Sequence, residues 1–168
     1  MATLVLTVIG DDRAGLVNAL ADVVSSHGGN WSRSQLAELS GKFAGIVEIE
    51  VDDARSSELA EALAPLQGLL DVAVHTGSPA PSAPREAIGF ELVGNDRPGL
   101  VQEVTGVLRD HQVSIDRFES AIVDAPMAGG RLFRATVTAH VDDAAHAEAA
   151  VAALQKLAGE LMVDLDLR

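Results

Sequence analysis

A stretch of seven residues occurs twice in the chain in nearly the same form, as GDDRAGL over Gly10–Leu16 and as GNDRPGL over Gly94–Leu100. Each copy follows an alternating apolar run and precedes a run with helical periodicity, so each joins a strand to a helix. Arg13 and Arg97 are able to pair with the carboxylate of a small ligand, and free N–H groups at a helix start bind the same group. Two simpler interpretations stay open: each arginine is solvated or bridges to a nearby acid, or each motif is a helix start packed against a neighbouring chain.

The residue types in these two motifs also predict how the helices begin. Asp12 and Asp96 are predicted to cap them, because a carboxylate there accepts backbone N–H groups and meets the positive end of the helix dipole. Pro98 suits the first helical turn, where its missing N–H costs nothing. Gly15 and Gly99 lack a Cβ, so another group can approach the helix start closely.

The remaining polar residues favour structural roles over catalysis. His27 and His111 end equivalent helices, where a histidine interacts favourably with the helix dipole. The acidic pairs Asp52–Asp53 and Asp142–Asp143 precede helices and are predicted to cap them, since Ca²⁺ binding requires more oxygen ligands nearby. The other three histidines lack metal-site spacing, and the sequence contains no nucleophile elbow, Walker-type phosphate loop or catalytic triad order. We therefore expect no enzymatic activity, no metal and no cofactor.

Composition excludes several classes of partner. The 168 residues carry a formal net charge of −13, and their few basic residues are scattered, so direct binding to nucleic acid is not expected. No apolar run approaches the ~20 residues of a membrane span, so no membrane association is expected. The chain has no cysteine, and Met1 leads directly into an apolar strand without a basic leader segment. These features predict a cytoplasmic protein.

The two motifs belong to a longer internal duplication. Gly10 and Gly94 are 84 positions apart, and the same offset pairs His27 with His111. The tetrapeptide VDDA recurs at an offset of 90, so the second copy has gained six residues, which we assign to a long loop over Ile122–Arg131. Each half reads as strand, helix, strand, strand, helix, strand, which predicts an α+β fold with two ferredoxin-like βαββαβ units in tandem. The predicted units span residues 1–75 and 87–168, joined by a semi-rigid, proline-rich linker over 76–86.

A βαββαβ unit with the motif G-x-D-R-x-G-L between its first strand and first helix resembles the ACT domain, a regulatory family whose members commonly bind amino acids. Two tandem copies without an attached enzyme resemble the glycine cleavage system transcriptional repressor family. The resemblance covers nearly the whole chain apart from the linker. It implies a regulatory protein that senses a small amino acid, such as glycine or serine, and acts through a protein partner, with transcriptional control as one output. The alternative is an ACT interaction or assembly module without a ligand.

The resemblance also implies a set of ligand-binding residues at an interface between units. They come from the loop after the first strand, the start of the first helix and the start of the second strand. In the first copy they are Asp12, Arg13, Ala14, Gly15, Leu16 and Asn30, and in the second Asp96, Arg97, Pro98, Gly99, Leu100 and Ser114. The sequence departs from the family pattern at Ser114, which replaces asparagine, at Ala14, which replaces proline, and at Trp31, which replaces a smaller aliphatic residue.

Uncovered strand residues predict assembly. Each sheet has edges to cover, and Val5, Ile9 and Met162 are apolar residues on strand faces that two helices cannot wholly cover. We therefore expect a homodimer with four ACT units and a symmetric interface. Because Asn30 has only Ser114 as its counterpart, the first copy is predicted to hold the better ligand site and the second to contribute more contacts to its neighbours.

Overall fold

Both halves of the chain fold into the same succession of elements. We describe the chain from a computed structural model, which describes residues 1–66, 68–78, 85–124, 130–161 and 164–167. The chain divides into two compact units, Met1–Ala80 and Pro81–Arg168. The first contains β1 (Ala2–Asp11), α1 (Leu16–Ser26), β2 (Asn30–Leu39), β3 (Lys42–Val51), α2 (Ser56–Leu63) and β4 (Asp71–Thr76). The second contains β5 (Glu86–Asn95), α3 (Leu100–Asp110), β6 (Ser114–Asp124), β7 (Arg131–Val141), α4 (Ala144–Leu161) and β8 (Asp164–Leu167).

Each unit has one antiparallel sheet of four strands. The strand order is β2-β3-β1-β4 in the first unit and β6-β7-β5-β8 in the second. The first and third strands of each unit therefore lie at the centre of the sheet, and the second and fourth form its edges. This order and the βαββαβ succession confirm the predicted pair of ferredoxin-like units.

One face of each sheet packs against the two helices of its unit. In β1, Leu4, Leu6 and Val8 are buried, whereas Ile9 on the opposite face is 51% exposed. The buried β1 residues share a core with residues of β3, α1 and α2, and the second unit has an equivalent core of its own. Trp31 is half-buried and packs against the first of these cores. Each fully buried leucine or valine contributes roughly 1.5–3 kcal/mol, so the helix-covered face stabilises the fold.

The strand registers confirm the duplication. Leu6 pairs with Val47 in the first sheet, and Phe90 pairs with Val137 at the equivalent place in the second. Both units also interrupt the register of the second strand at equivalent positions, between Trp31 and Arg33 and between Ile115 and Arg117. A shared irregularity of this kind indicates that the two units inherited the same backbone conformation from the duplicated ancestor.

Two elements differ from the sequence prediction. The loop expected over 122–131 is shorter, because β6 runs to Asp124, which pairs with Arg131 at the start of β7. Residues 125–129 of that loop lie outside the described residues. The alternation of Leu161, Val163, Leu165 and Leu167 predicts a last strand from Leu161, but Leu161 ends the alanine-rich helix α4 and β8 covers Asp164–Leu167. Alanine has the highest helix propensity, which explains the longer helix. Met162 lies outside the described residues.

The predicted linker is bounded by strand residues. Thr76 is the last residue of β4, and Glu86 is the first residue of β5. Just after β4, the Gly77 N–H donates to the Thr3 carbonyl at 2.8 Å, which holds the end of the first unit against its first strand. Residues 79–84 lie outside the described residues, and the limits of the linker stay a prediction.

The helix ends agree in part with the predicted caps. His27 follows α1, and its Nδ1 lies 2.8 Å from the Val23 carbonyl oxygen, as expected for a histidine at a helix C-terminus. Asp143 accepts the His146 N–H at 2.9 Å and caps α4, and this hydrogen bond lowers the pKa of Asp143. In the first acidic pair, Asp52 occupies the N-cap position of a 3₁₀ turn over Asp53–Arg55 but its side chain forms no capping hydrogen bond, and Asp53 pairs with the amino group of Met1 at 2.9 Å, so the predicted side-chain cap is wrong there.

Candidate functional site

The connection between β1 and α1 ends on a glycine in the left-handed conformation. Gly15 precedes α1 with φ +94°, and Gly99 precedes α3 with the same φ. A Cβ at Gly15 would meet no atom within 4 Å, and at Gly99 only the Glu103 Oε1 at 3.6 Å. The backbone conformation therefore requires glycine here, whereas the sequence suggested a close approach by another group.

The two aspartates of the motifs do not cap the helices, contrary to the sequence prediction. Asp12 and Asp96 lie three residues before Gly15 and Gly99, which occupy the capping positions themselves. The backbone N–H of Asp12 donates to the Gly41 carbonyl, and that of Asp96 to the Arg131 carbonyl, each at 2.9 Å. These bonds fix the first loop to the turn before β3 and the second loop to the start of β7. Among the described side chains, none forms a capping hydrogen bond at either helix start.

The predicted contact residues of the loops divide into exposed and buried groups. Asp12, Arg13, Ala14 and Gly15 are exposed, as are their counterparts from Asp96 to Gly99. Pro98 precedes the capping glycine and therefore lies outside the first helical turn in which it was predicted. Leu16 and Leu100 are each only 2% exposed and belong to the two cores, so a ligand can reach their backbone but not their side chains.

Arg13 is bound to neutral groups of its own unit. Its Nη2 donates to the Gly68 carbonyl at 2.9 Å and to the Leu69 carbonyl at 3.4 Å, just before β4. Within the described part of the chain no carboxylate forms an ion pair with Arg13, although, after Lys42, the Arg13 charge also lowers the pKa of the nearby Asp11 carboxyl. Hydrogen bonds from a guanidinium to a carboxylate are stronger than those to a carbonyl, so Arg13 can gain by exchanging its present partners for an anionic ligand.

Arg97 has an acidic partner, which confirms for the second loop the simpler interpretation of the arginine. Its Nη1 donates to the Glu103 Oε1 at 2.9 Å and its Nη2 to the Glu103 Oε2 at 2.8 Å. The hydrogen bonds with Arg97 lower the pKa of the Glu103 carboxyl and raise the pKa of the Arg97 guanidinium. The sequence prediction did not single out Glu103. Its position in the first turn of α3, six residues after Arg97, is the signal that could have found it.

A cavity of about 360 Å³ lies beside the first loop. Its charged lining residues are Asp11, Arg13, Lys42 and Asp71, and Gly68–Leu70 line another side. Lys42 forms an ion pair with Asp11, which lowers the pKa of the Asp11 carboxyl through a hydrogen bond. The volume falls in the range typical of small-molecule sites. Lys42 is a further candidate contact that the sequence prediction omitted.

Asn30 and the first loop lie at opposite ends of the same sheet. Asn30 pairs with Glu50, which pairs with Thr3 near the start of β1, whereas the loop follows Asp11 at its end. Eight steps along a strand at ~3.3 Å per residue separate Thr3 from Asp11 by about 26 Å. A single unit therefore cannot place both groups on one small ligand.

The second unit has the same separation. Ser114 pairs with His140, which pairs with Ala87 near the start of β5, while the second loop follows Asn95 at the end of that strand. A site that includes both a loop and the start of a second strand must therefore combine two units. The ligand position between units that the sequence resemblance implied stays a prediction.

Comparison with known proteins identifies the family. One family model described as "ACT domain" matches residues 2–76, and another with the same description matches residues 90–159. The chain belongs to the ACT-domain family. This tandem ACT protein is 31% identical over 159 residues to the glycine cleavage system transcriptional repressor of Escherichia coli (strain K12). The match covers 90% of this chain and 83% of that repressor, and the repressor of Shigella flexneri matches to the same extent.

Solved structures share the fold over the full length of the tandem ACT protein. The crystal structure of an unknown protein from Galdieria sulphuraria superposes with a TM-score of 0.88 at 26% identity, covering 99% of this chain and 97% of that chain. A crystal structure assigned to a glycine cleavage system transcriptional repressor superposes with a TM-score of 0.69 at 20% identity, covering 99% and 96%. These superpositions support the fold that the sequence predicted.

The described residues of the tandem ACT protein contain neither a cluster of metal ligands nor a membrane-spanning helix. There, no three histidine, aspartate or glutamate side chains come together in a group that could hold a metal ion. None of the helices described has both the length and the apolar character needed to cross a membrane.

Proposed function

We propose that this tandem ACT protein is a regulatory protein that binds a small amino acid, glycine or serine in size, at the loop of its first unit. The observation that carries the proposal is Arg13, an exposed arginine whose hydrogen bonds among the described residues go to carbonyl groups, beside a helix start without a side-chain cap. Membership of the ACT family and the similarity to proteins named glycine cleavage system transcriptional repressors support a regulatory role.

The chemistry of the first loop suits both charged groups of an amino acid. The ligand carboxylate would bind the Arg13 guanidinium and the N–H groups that begin α1, where the helix dipole favours negative charge. The ligand ammonium would lie near the exposed Asp12, whose carboxylate is not used in capping. The cavity of about 360 Å³ beside Arg13 favours a small side chain on the ligand.

Asn30 would complete the site from a second ACT unit. Its distance from the loop of its own unit means that it can contact only a ligand held by another unit. We propose that the other unit is the first unit of a second copy, in a symmetric homodimer with four ACT units. In such an arrangement each first loop receives the Asn30 amide of the partner copy, and two equivalent sites form.

The molecular mass of the protein in solution tests the proposed homodimer. Light scattering at micromolar concentration should give twice the mass of one chain, because the proposed symmetric site takes Asn30 from a second copy, which would also cover apolar strand residues. A mass equal to one chain, with and without saturating glycine or serine, would contradict the homodimer.

Amino-acid binding should raise thermal stability. A ligand at ~100 times its dissociation constant adds ~2.7 kcal/mol to the free energy of unfolding, and each kcal/mol shifts the melting temperature by about 2–4 °C in a chain of this size. A thermal-shift panel of the twenty amino acids should show this increase for glycine or serine. Glycinamide is the matched control, because it has the ammonium group but no carboxylate.

Two substitutions then locate the contact across the interface. Asn30→Ala should weaken binding by ~1–3 kcal/mol, the cost of leaving a polar ligand group unpaired, whereas Ser114→Ala should do much less. Equal losses would mean that the second strands of both units serve the ligand alike. A flat panel at millimolar amino acid would leave the interaction module as the function.

The interaction module is the second candidate because the open face of the first sheet is apolar. Ile46 on β3 is 47% exposed and Ile9 on β1 is 51% exposed, although both lie on the central strands. A shallow cavity of about 520 Å³ on the same face lies between Val5, Ile46 and the Arg33–Glu48 ion pair. This surface suits contact with another protein surface, which a ligand-free module would also use.

Duplex DNA should not bind the purified chain directly. Its net charge of −13 opposes the phosphate backbone, and binding would have to overcome this repulsion without a basic face. A gel-shift assay at low and moderate salt should show no retained duplex, and tight retention that weakens with salt would refute the expectation. Any effect on transcription would then run through another protein. That protein partner, the cytoplasmic location and the absence of enzymatic activity all stay predictions.

A further inference from the structure

The two loops of the chain have the same backbone but different charges around the arginine. Gly15 and Gly99 have the same φ of +94°, with ψ values of −2° and −12°. Each loop is tied to its hairpin by the same backbone hydrogen bond, from the Asp12 or Asp96 N–H. A difference in ligand binding between the loops must therefore come from side chains.

Glu103 is the residue near the arginine whose side chain differs most from its counterpart in the first unit. At the offset of 84 that aligns the loops, the first unit has Ala19 in its place. Both oxygens of the Glu103 carboxylate accept hydrogen bonds from Arg97, and its Oε1 lies 3.6 Å from where a Cβ on Gly99 would be. The carboxylate thus lies at the start of α3, against both the arginine and the capping glycine.

We propose that Glu103 occupies the second loop in the manner of a ligand carboxylate, so that each chain binds one amino acid, at its first loop. The inference rests on the proposed function of the first loop. In the second loop both terminal nitrogens of Arg97 donate to the Glu103 carboxylate, whereas the hydrogen bonds of Arg13 among the described residues go to two neutral carbonyls. Because Glu103 is attached to the chain, its carboxylate is present at an effective concentration in the millimolar range or higher, which a free amino acid must outcompete.

Glu103 is therefore the residue that sets the number of sites per chain. Its pKa is held below the usual range by the hydrogen bonds from Arg97. The carboxylate therefore stays charged at neutral pH and continues to occupy Arg97. In the first loop the Ala19 methyl group offers no such competitor, and the loop stays open to an external carboxylate.

Isothermal titration calorimetry of the full chain with glycine and with serine tests the inference. The wild-type chain should bind one amino acid, and Glu103→Ala should bind two. Ala19→Glu should place the same carboxylate in the first loop and bind none. Glu148→Ala, which removes an exposed glutamate from α4 of the same unit, is the matched control and should still bind one. Circular dichroism verifies that each variant is folded.

The outcomes separate this inference from the proposed function. Two amino acids per wild-type chain, or one for both wild type and Glu103→Ala, would overturn the role of Glu103 and leave the ligand function standing. Binding to neither would overturn both. Binding to Glu103→Ala alone would support the closure of the second loop and reject the first loop as a site. If Glu103→Ala does not fold, Ala19→Glu decides: loss of binding supports the inference, and one retained site overturns it.

Discussion

Phe90→Ala is expected to lower the free energy of unfolding of the second unit by about 3–5 kcal/mol. Phe90 lies on the central strand β5 and is 1% exposed, and it is the largest of the fully buried side chains described. Truncation to alanine removes most of its contacts and leaves a cavity that the surrounding β-strands and helices can fill only in part. Urea unfolding followed by circular dichroism should show a transition at clearly lower urea.

A tryptophan in the other unit provides a built-in control for this experiment. The chain has one tryptophan, Trp31, which packs against the core of the first unit and so reports the unfolding of that unit. Its fluorescence transition should stay in place in Phe90→Ala and shift in Leu6→Ala, where the first core loses about 2–5 kcal/mol. An equal shift of the fluorescence transition in both variants would show that the units unfold together and would contradict independent cores.

Gly45→Val is expected to destabilise the first unit by about 3 kcal/mol or more. Gly45 lies on β3 between Val8 and Leu36, and a Cβ there would be 2.0 Å from the Gln35 carbonyl oxygen and 2.8 Å from the Leu36 Cα. Both obstacles are backbone atoms, so the side chain fits only if β2 moves away from β3, which costs more than ordinary overpacking. The fluorescence transition of Trp31 on β2 should shift to lower urea.

A glycine without neighbours gives the opposite control. Gly106 lies within α3, and a Cβ there would meet no atom within 4 Å. Gly106→Ala should stabilise the second unit by about 0.5–1 kcal/mol, because alanine loses less conformational freedom in a helix. A Gly45→Val chain as stable as wild type would mean that the two strands can separate there without cost.

The fold was predictable because its signals are local and repeated. The alternation in β1, the helical spacing of Leu16 and Leu20, and the recurrence of the motif at Gly94 each depend on a few neighbouring residues. The ends of elements were harder, because Leu161 satisfies both a strand and a helix pattern and tertiary packing decides between them. The left-handed Gly15 also displaced the expected cap at Asp12, an outcome that depends on loop geometry rather than residue type.

The candidate site was predictable residue by residue but not as an assembled site. The sequence identified both arginines, and it left open whether each would bind a ligand or an acid. Among the described residues an acid is hydrogen-bonded to Arg97 and none to Arg13, because α3 carries Glu103 where α1 carries Ala19. It also places Asn30 about 26 Å along the sheet from the loop with which the sequence associated it. Motif spacing does not report such a distance, since it follows from the strand pairing.

The matching backbone of the two loops makes them exchangeable parts for protein engineering. The segments 11–19 and 95–103 begin at the end of a central strand, pass through a glycine with φ +94°, and end in the first turns of a helix. Transplanting either segment into the other unit would preserve these junctions, so the arginine environment can be moved without redesigning the sheet. The duplication thus supplies, within one chain, two matching backbones between which the surroundings of the arginine can be exchanged.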